Sequence, residues 1–293
     1  MPIKYFFLLC CMFLLVSCVS TGSYLVNVFA KLGNYQKVED VSYDAVNKMD
    51  IYIPDAVSGE IKAPVIVFFY GGCWGACQNA FKKDYEFLAD ALTETGYVVV
   101  IPDYRYYPEV KFPAIISDVS KATQWVKNNI FQYNGDDQNM FLMGHSAGAH
   151  LAIMLSVKED YLDPETYSSI KGGIGLAGPY DFIPYTEPYL PGVFGPESEA
   201  AYSQPINFIQ GNEPPLLLMY GEKDTAVKPK NIISLTKTIE EKNGKVKAVY
   251  YKDMDHIEIM TGFTRPLRNQ KVVDDVDTFI KIINSKKSDW VNL

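Results

Sequence analysis

Histidine is scarce in this 293-residue chain, with three copies, His145, His150 and His256. Acid–base chemistry that uses an imidazole must run through one of them. Cysteine is nearly as rare, at five, and no cysteine–histidine cluster has the spacing of a zinc site. No metal and no other cofactor is expected. Basic runs are absent and the formal net charge is −8. A nucleic-acid partner needs a basic footprint, so none is expected. An acidic balance mainly favours solubility. No internal repeat or low-complexity linker interrupts the chain. Hydrophobic residues make up 48% and charged residues 21%, a globular composition with ample material for a core. The length suits one large α/β domain or two small ones.

The only long apolar run is N-terminal. "MPIKYFFLLCCMFLLVSCVSTG" carries one early lysine, Lys4, then an apolar stretch from Tyr5 to Val16. That stretch is too short to span a bilayer comfortably and has the shape of a secretory h-region. Its end, Leu15-Val16-Ser17-Cys18, resembles a bacterial lipobox, in which the cysteine carries the lipid. The expectation is a signal peptide over 1–17, a tether over 18–40 and the folded domain over 41–293. The protein would then sit in the bacterial cell envelope, joined to the membrane through a lipid on Cys18. An ordinary signal peptide or an uncleaved anchor are the alternatives. Cys73 and Cys77 remain in the domain. An oxidising compartment would let them pair, while the very small loop argues against it; both outcomes stay open.

The rest of the chain alternates strand and helix patterns. "NKMDIYIP" alternates like a strand with one exposed face. "APVIVFFYGG" reads as a strand buried on both faces, as do "YVVVIPDYR", "NMFLMG", "GGIGLAG" and "PPLLLMYG", with "KVKAVYYK" last. Between them lie helical patterns: "DYEFLADALTETG" with Gly96 as C-cap, "FPAIISDVSKATQWVKNNI", "AGAHLAIMLSV", "PKNIISLTKTIEEKNG" with Gly244 as its stop, and a closing helix from Gln270 to Ser285. Such alternation predicts a mostly parallel, doubly wound sheet with helices on both faces. Ligands of such sheets bind at the carboxyl ends of the strands. The stretch from Pro179 to Asn212, rich in Pro, Tyr and Gly, reads as a lid-like insertion.

Four segments that follow strands carry candidate chemistry. Gly144-His145-Ser146-Ala147-Gly148 has the G-x-S-x-G spacing of a nucleophile elbow between a strand and a helix. Ser146 is the candidate nucleophile, and small neighbours suit the tight turn. A serine hydroxyl needs a base. His145 should point away from the attacking oxygen and His150 should pack, which leaves His256 in "DMDHIEIM". An acid must orient that histidine. Asp224 in "LLLMYGEKDTAV" is the candidate, with Glu222 and Asp255 as rivals. The oxyanion hole would use Gly71, Gly72 and Cys73 of "FFYGGCWG" together with the amide of Ala147, with Gly72 and Cys73 the preferred donors of the turn. Trp74 and Tyr180 are candidate substrate contacts. The lid tyrosines Tyr180, Tyr185 and Tyr189 could stack on rings or simply pack.

These blocks together resemble the α/β-hydrolase esterases of the hormone-sensitive-lipase and carboxylesterase type, particularly the isoprenylcysteine-methylesterase-like and kynurenine-formamidase-like branch. "YGGCWGAC" resembles that family's H-G-G-x-W turn, with Tyr70 where the family has histidine. "IPDYRYYPEVKFPAIISDV" is similar to its D-Y-R…P…F-P-x…D block. "GHSAGAHLA", "GEKDTAV" and "DMDH" are similar to its elbow, acid and base loops. The resemblance implies an α/β-hydrolase fold and metal-free hydrolysis of a small-molecule carboxylic ester through an acyl-enzyme. An amide hydrolase and, further off, a non-catalytic binding protein on the same fold are the alternatives. Asp103, Arg105 and Asp118 are expected to brace the site. Nothing in the sequence specifies an oligomeric state.

Overall fold

A computed structural model describes residues 27–57 and 62–285. The expected signal segment and Cys18 lie outside the described residues. Eight strands form one sheet: β1 (Tyr35–Ser42), β2 (Lys48–Pro54), β3 (Ala63–Phe69), β4 (Val98–Pro102), β5 (Gly135–His145), β6 (Ile170–Leu176), β7 (Leu216–Gly221) and β8 (Val246–Tyr251). Their spatial order is β1-β2-β4-β3-β5-β6-β7-β8. β2 pairs antiparallel with both β1 and β4, and all pairs from β4 onward are parallel. The mostly parallel sheet expected from the sequence is therefore present.

The sheet begins earlier than expected. Most of β1 lies in the segment assigned to a tether over 18–40, and the strand pairs with β2 from Tyr35↔Pro54 to Ser42↔Lys48. Its sequence, YQKVEDVS, is half-exposed or exposed throughout. An edge strand with so little buried surface carries no hydrophobic alternation to read.

The longer helices are α1 (Glu86–Glu94), α2 (Phe112–Asn129), α3 (Ala147–Val157), α6 (Lys230–Glu241) and α8 (Gln270–Asn284); α4 (Pro164–Ser169), α5 (Leu190–Phe194) and α7 (Glu258–Thr261) are short. Two adjacent glycines of β6 show that both sheet faces are covered. A Cβ at Gly172 would press on Phe279 of α8, and one at Gly173 on Ser156 and Ile153 of α3. Successive strand residues face opposite sides, so α8 and α3 pack on opposite faces. Every residue of α3 is buried, which is why its sequence is apolar nearly all round. Helix ends follow local chemistry. Gly96 takes φ 95° after α1, as expected. After α6 the left-handed residue is Asn243 (φ 59°), not Gly244, whose amide instead bonds the Ile239 carbonyl at 2.9 Å.

Candidate active site

The elbow forms where β5 ends and α3 begins. Ser146 adopts φ 54° and ψ −122°, a conformation that costs a non-glycine residue roughly 1–3 kcal/mol. Close packing holds it there. A Cβ at Gly144 would lie 2.2 Å from the Gly148 carbonyl oxygen, and one at Gly148 2.0 Å from that of Phe69. Only glycine at both positions lets the helix start approach the ends of β3 and β5 so closely. The Ser146 amide bonds the Leu176 carbonyl at 2.8 Å, tying the elbow to β6. The Ser146 hydroxyl has no hydrogen-bond partner among the described residues, and its side chain lines a cavity of about 1550 Å³.

His256 borders the same cavity from the loop after β8. Its Nδ1 lies 2.7 Å from Asp224 Oδ2. The Asp224 carboxylate has no solvent exposure, and its Oδ1 accepts from the Ala226 and Val227 amides at 2.8 and 2.9 Å. Of the three acids weighed from the sequence, geometry selects Asp224. Glu222 is exposed, and Asp255 caps α7 by accepting from the Ile257 and Glu258 amides. The acid and base loops run side by side. Lys223 N–H donates to the Met254 carbonyl at 3.0 Å, and a Cβ at Gly221 would sit 2.4 Å from that same carbonyl oxygen.

The other two histidines are neutral at pH 7. Burial, and then the charge His256 can carry, pushes His145 down to about 3; burial pushes His150 down to about 4. His145 reaches the base loop, where its Nε2–H donates to the His256 backbone carbonyl at 2.8 Å. The rings of the two histidines lie 4.8 Å apart. Sequence reasoning expected His145 to turn away from Ser146 and missed this bracing contact, which nothing in a one-dimensional pattern signals. His150 packs, as expected: its Nε2 donates to the Ser203 carbonyl (2.7 Å), while its Nδ1 accepts from Trp74 Nε1 (3.1 Å).

The turn after β3 faces the elbow. Gly72, Cys73, Trp74 and Gly75 all take positive φ, at 116°, 54°, 55° and 97°. Holding two non-glycine residues there costs on the order of 1–2 kcal/mol each. Cys73 and Cys77 form a disulfide with a Cα–Cα distance of 5.3 Å, inside the usual range. The sharp turn folds the short loop enough to close it, which decides the pairing that spacing left open. Among the described residues, the amides of Gly72, Cys73 and Ala147 have no hydrogen-bond acceptor within the chain. Gly71 also lines the cavity, and a Cβ there would lie 3.1 Å from the Ser146 Cβ. Tyr70, which replaces the family's histidine, stacks between Tyr104 and Tyr85 at ring distances of 4.7 and 5.5 Å. Its hydroxyl donates to Asp103 Oδ1 at 3.0 Å. Burial raises the Asp103 carboxyl above its ordinary range. Arg105 grips Asp118 with two hydrogen bonds of 2.8 and 2.7 Å. Asp103 thus holds Tyr70 at the start of the oxyanion turn, while Arg105 and Asp118 pair with each other.

Trp74 lines the cavity, but Tyr180 does not. Tyr180 is 1% exposed and packs in a second apolar cluster with Ile153, Leu216 and Leu218. It is a core residue, not a substrate contact. The lid-like segment instead presents Phe182, Tyr189 and Leu190 to the cavity, while Tyr185 stacks on Phe182. No cluster of metal-ligating side chains occurs among the described residues.

A mostly parallel sheet with a strained serine elbow after β5, and an Asp–His pair on the loops after β7 and β8, defines an α/β-hydrolase. The chain belongs to the BD-FAE family, whose match covers residues 49–239. It is 28% identical over 267 residues to a probable isoprenylcysteine alpha-carbonyl methylesterase of Arabidopsis thaliana, covering 83% of this chain and 61% of that one. It is 31% identical over 157 residues to kynurenine formamidase of Danio rerio, covering 53% of this chain and 50% of the relative. The chain thus spans about half to three fifths of the length of these relatives. Among solved structures, a truncated form of a carbohydrate esterase from gut microbiota matches with a TM-score of 0.73 and 20% identity, covering 85% of this chain and 97% of that one. That likeness supports the fold.

Proposed function

We propose that the protein is a serine carboxylic-ester hydrolase that acts on small or short-acyl esters through an acyl-enzyme. The Asp224–His256 hydrogen bond, set beside an unengaged Ser146 hydroxyl in one cavity, carries this reading. Asp224 fixes the His256 tautomer with Nδ1 protonated, which leaves Nε2 as the base. Nε2 takes the Ser146 proton as the hydroxyl adds to the ester carbonyl. The amides of Gly72, Cys73 and Ala147 hold the oxyanion, each contributing on the order of 3 kcal/mol. The start of α3 adds favourable dipole. His256 then protonates the leaving alcohol, and water repeats the cycle on the acyl group. The relative named as an isoprenylcysteine methylesterase agrees with ester cleavage. The kynurenine formamidase similarity favours amide cleavage as the second reading, which the same groups would serve.

We propose further that residues 1–17 are a lipoprotein-type signal and that Cys18 carries a lipid in the cell envelope. Mass spectrometry of the membrane-extracted protein would show a diacylglyceryl adduct at Cys18. An unmodified, soluble chain would contradict this.

Hydrolysis of p-nitrophenyl esters from acetyl to long acyl chains tests the catalytic reading. Short esters should be cleaved fastest, and Ser146→Ala should lower kcat at least ~10⁴-fold, the scale of a lost nucleophile. Cleavage of formanilides but not esters would favour the amide reading. Binding of ester without turnover would favour a non-catalytic role.

A further inference from the structure

The oxyanion turn contains a structure that the proposed mechanism uses but does not explain. Its key peptide joins Gly72 to Cys73. A trans peptide points its C=O and N–H to opposite sides, so whatever holds the Gly72 carbonyl also aims the Cys73 amide. The Gly72 carbonyl accepts from the Gly75 amide at 2.9 Å and from the Cys77 amide at 3.4 Å. Both donors lie on the far side of the turn, and Cys77 is held there by its disulfide to Cys73. Other residues of the turn are anchored by other means: Tyr70 through Asp103, and Trp74 through His150. Gly72 has no side chain to resist rotation. The disulfide is the one side-chain anchor of Cys73, which lines the cavity, keeps an unbonded amide and sits at φ 54°. A flip of this peptide would present a carbonyl oxygen to the developing oxyanion.

We propose that Cys77, through its bond to Cys73, is a positioning residue of the oxyanion hole, so that ester hydrolysis depends on the oxidised state of this pair. The inference rests on Ser146 acting as the nucleophile under the Cys73 amide. Oxidation removes two electrons and two protons from the two thiols, accepted by an external disulfide oxidant. Reduction by a phosphine returns the two thiols, with the phosphine becoming its oxide and water supplying the oxygen and protons.

The test takes the folded, oxidised full chain and measures p-nitrophenyl acetate hydrolysis before and after phosphine reduction and desalting. A thiol titration verifies the gain of two thiols. Binding of an alkyl boronic acid, which forms a tetrahedral adduct on the serine, and the Tm are measured on the same samples. The expected result is a fall in kcat of tenfold or more, with KM changed less than twofold. Boronate affinity should fall with kcat, and reoxidation should restore both. Cys77→Ala should reproduce the reduced state; if that variant does not fold, reduction of the folded wild type decides. A reduced enzyme with a lower Tm but unchanged kcat and boronate affinity at 25 °C overturns the inference, because the disulfide then only stabilises. An oxidised protein that cleaves no ester overturns the catalytic reading and this inference with it. An active enzyme indifferent to reduction overturns this inference alone.

Discussion

At the scale of single residues, His145 is the most informative side chain that the sequence left unread. The G-x-S-x-G spacing marks Ser146 because a fixed local turn produces it. The His145 contact spans 111 positions and depends on how the base loop returns. Its imidazole carries the Nε2 proton to the His256 carbonyl and stays neutral because it is buried. We expect His145→Phe to lower kcat about tenfold through a misplaced His256, with a smaller effect on KM, and His145→Gln, which keeps an N–H donor, to recover most of it. The same variant should alter acid stability. A histidine whose folded value lies near 3 binds protons first in the unfolded chain, so its contribution is full above about pH 7 and is lost as pH falls toward 3. At pH 5 this loss is about 2 kcal/mol. Urea unfolding at pH 7 and pH 5 should therefore show a smaller acid penalty in His145→Phe than in the wild type. Equal penalties would contradict the assignment. Asp224 was legible because it follows a buried strand in the required chain order. Tyr180 was misread because a tyrosine in a Pro-rich insertion gives no sign of which way it faces, and here its ring fills the core beside Asn231, whose side chain accepts its amide hydrogen at 2.7 Å.

At the scale of elements, the legible parts are those whose burial is extreme. β3, β4 and β7 are almost wholly buried, so their apolar runs stand out. The amphipathic α6 and α8 show helical periodicity. β1 and α4 were invisible for the opposite reason, since one is an exposed edge and the other is six residues long. The positive φ values of Cys73 and Trp74 were equally hidden, because residue type does not announce them. The elbow itself gives the sharpest element-level prediction. Gly148→Ala places a methyl 2.0 Å from a backbone oxygen that cannot move freely. The variant should lose several kcal/mol of stability, an overpacking penalty at the upper end of the usual range, and its activity with it. At Gly96 a Cβ meets nothing within 4 Å, so Gly96→Ala pays only the left-handed backbone cost of roughly 1–2 kcal/mol. Chemical denaturation of the two variants side by side checks the contrast. Similar losses would mean that the close approach of α3 to β3 is not what requires glycine.

At the scale of the whole molecule, function follows from topology. β3, β5, β6, β7 and β8 are neighbours in the sheet, and each is followed by a segment that lines the one cavity containing Ser146 and His256. A parallel sheet brings those segments together at one edge, so residues separated by more than a hundred positions share a site. Charge adds little: the cavity wall mixes Lys37, Lys83 and Lys230 with Glu39, Glu86 and Asp181, and the ester carbonyl it would receive is neutral. What remains decisive is whether a covalent bond forms at Ser146. Incubation of the full chain with a p-nitrophenyl alkylphosphonate, followed by intact mass measurement and peptide mapping, reads this directly. The account predicts one phosphonyl group per chain on Ser146, release of one equivalent of p-nitrophenol, parallel loss of esterase activity, and no labelling of Ser146→Ala. Labelling at another residue, or undiminished activity in a fully exposed but unlabelled enzyme, would contradict it.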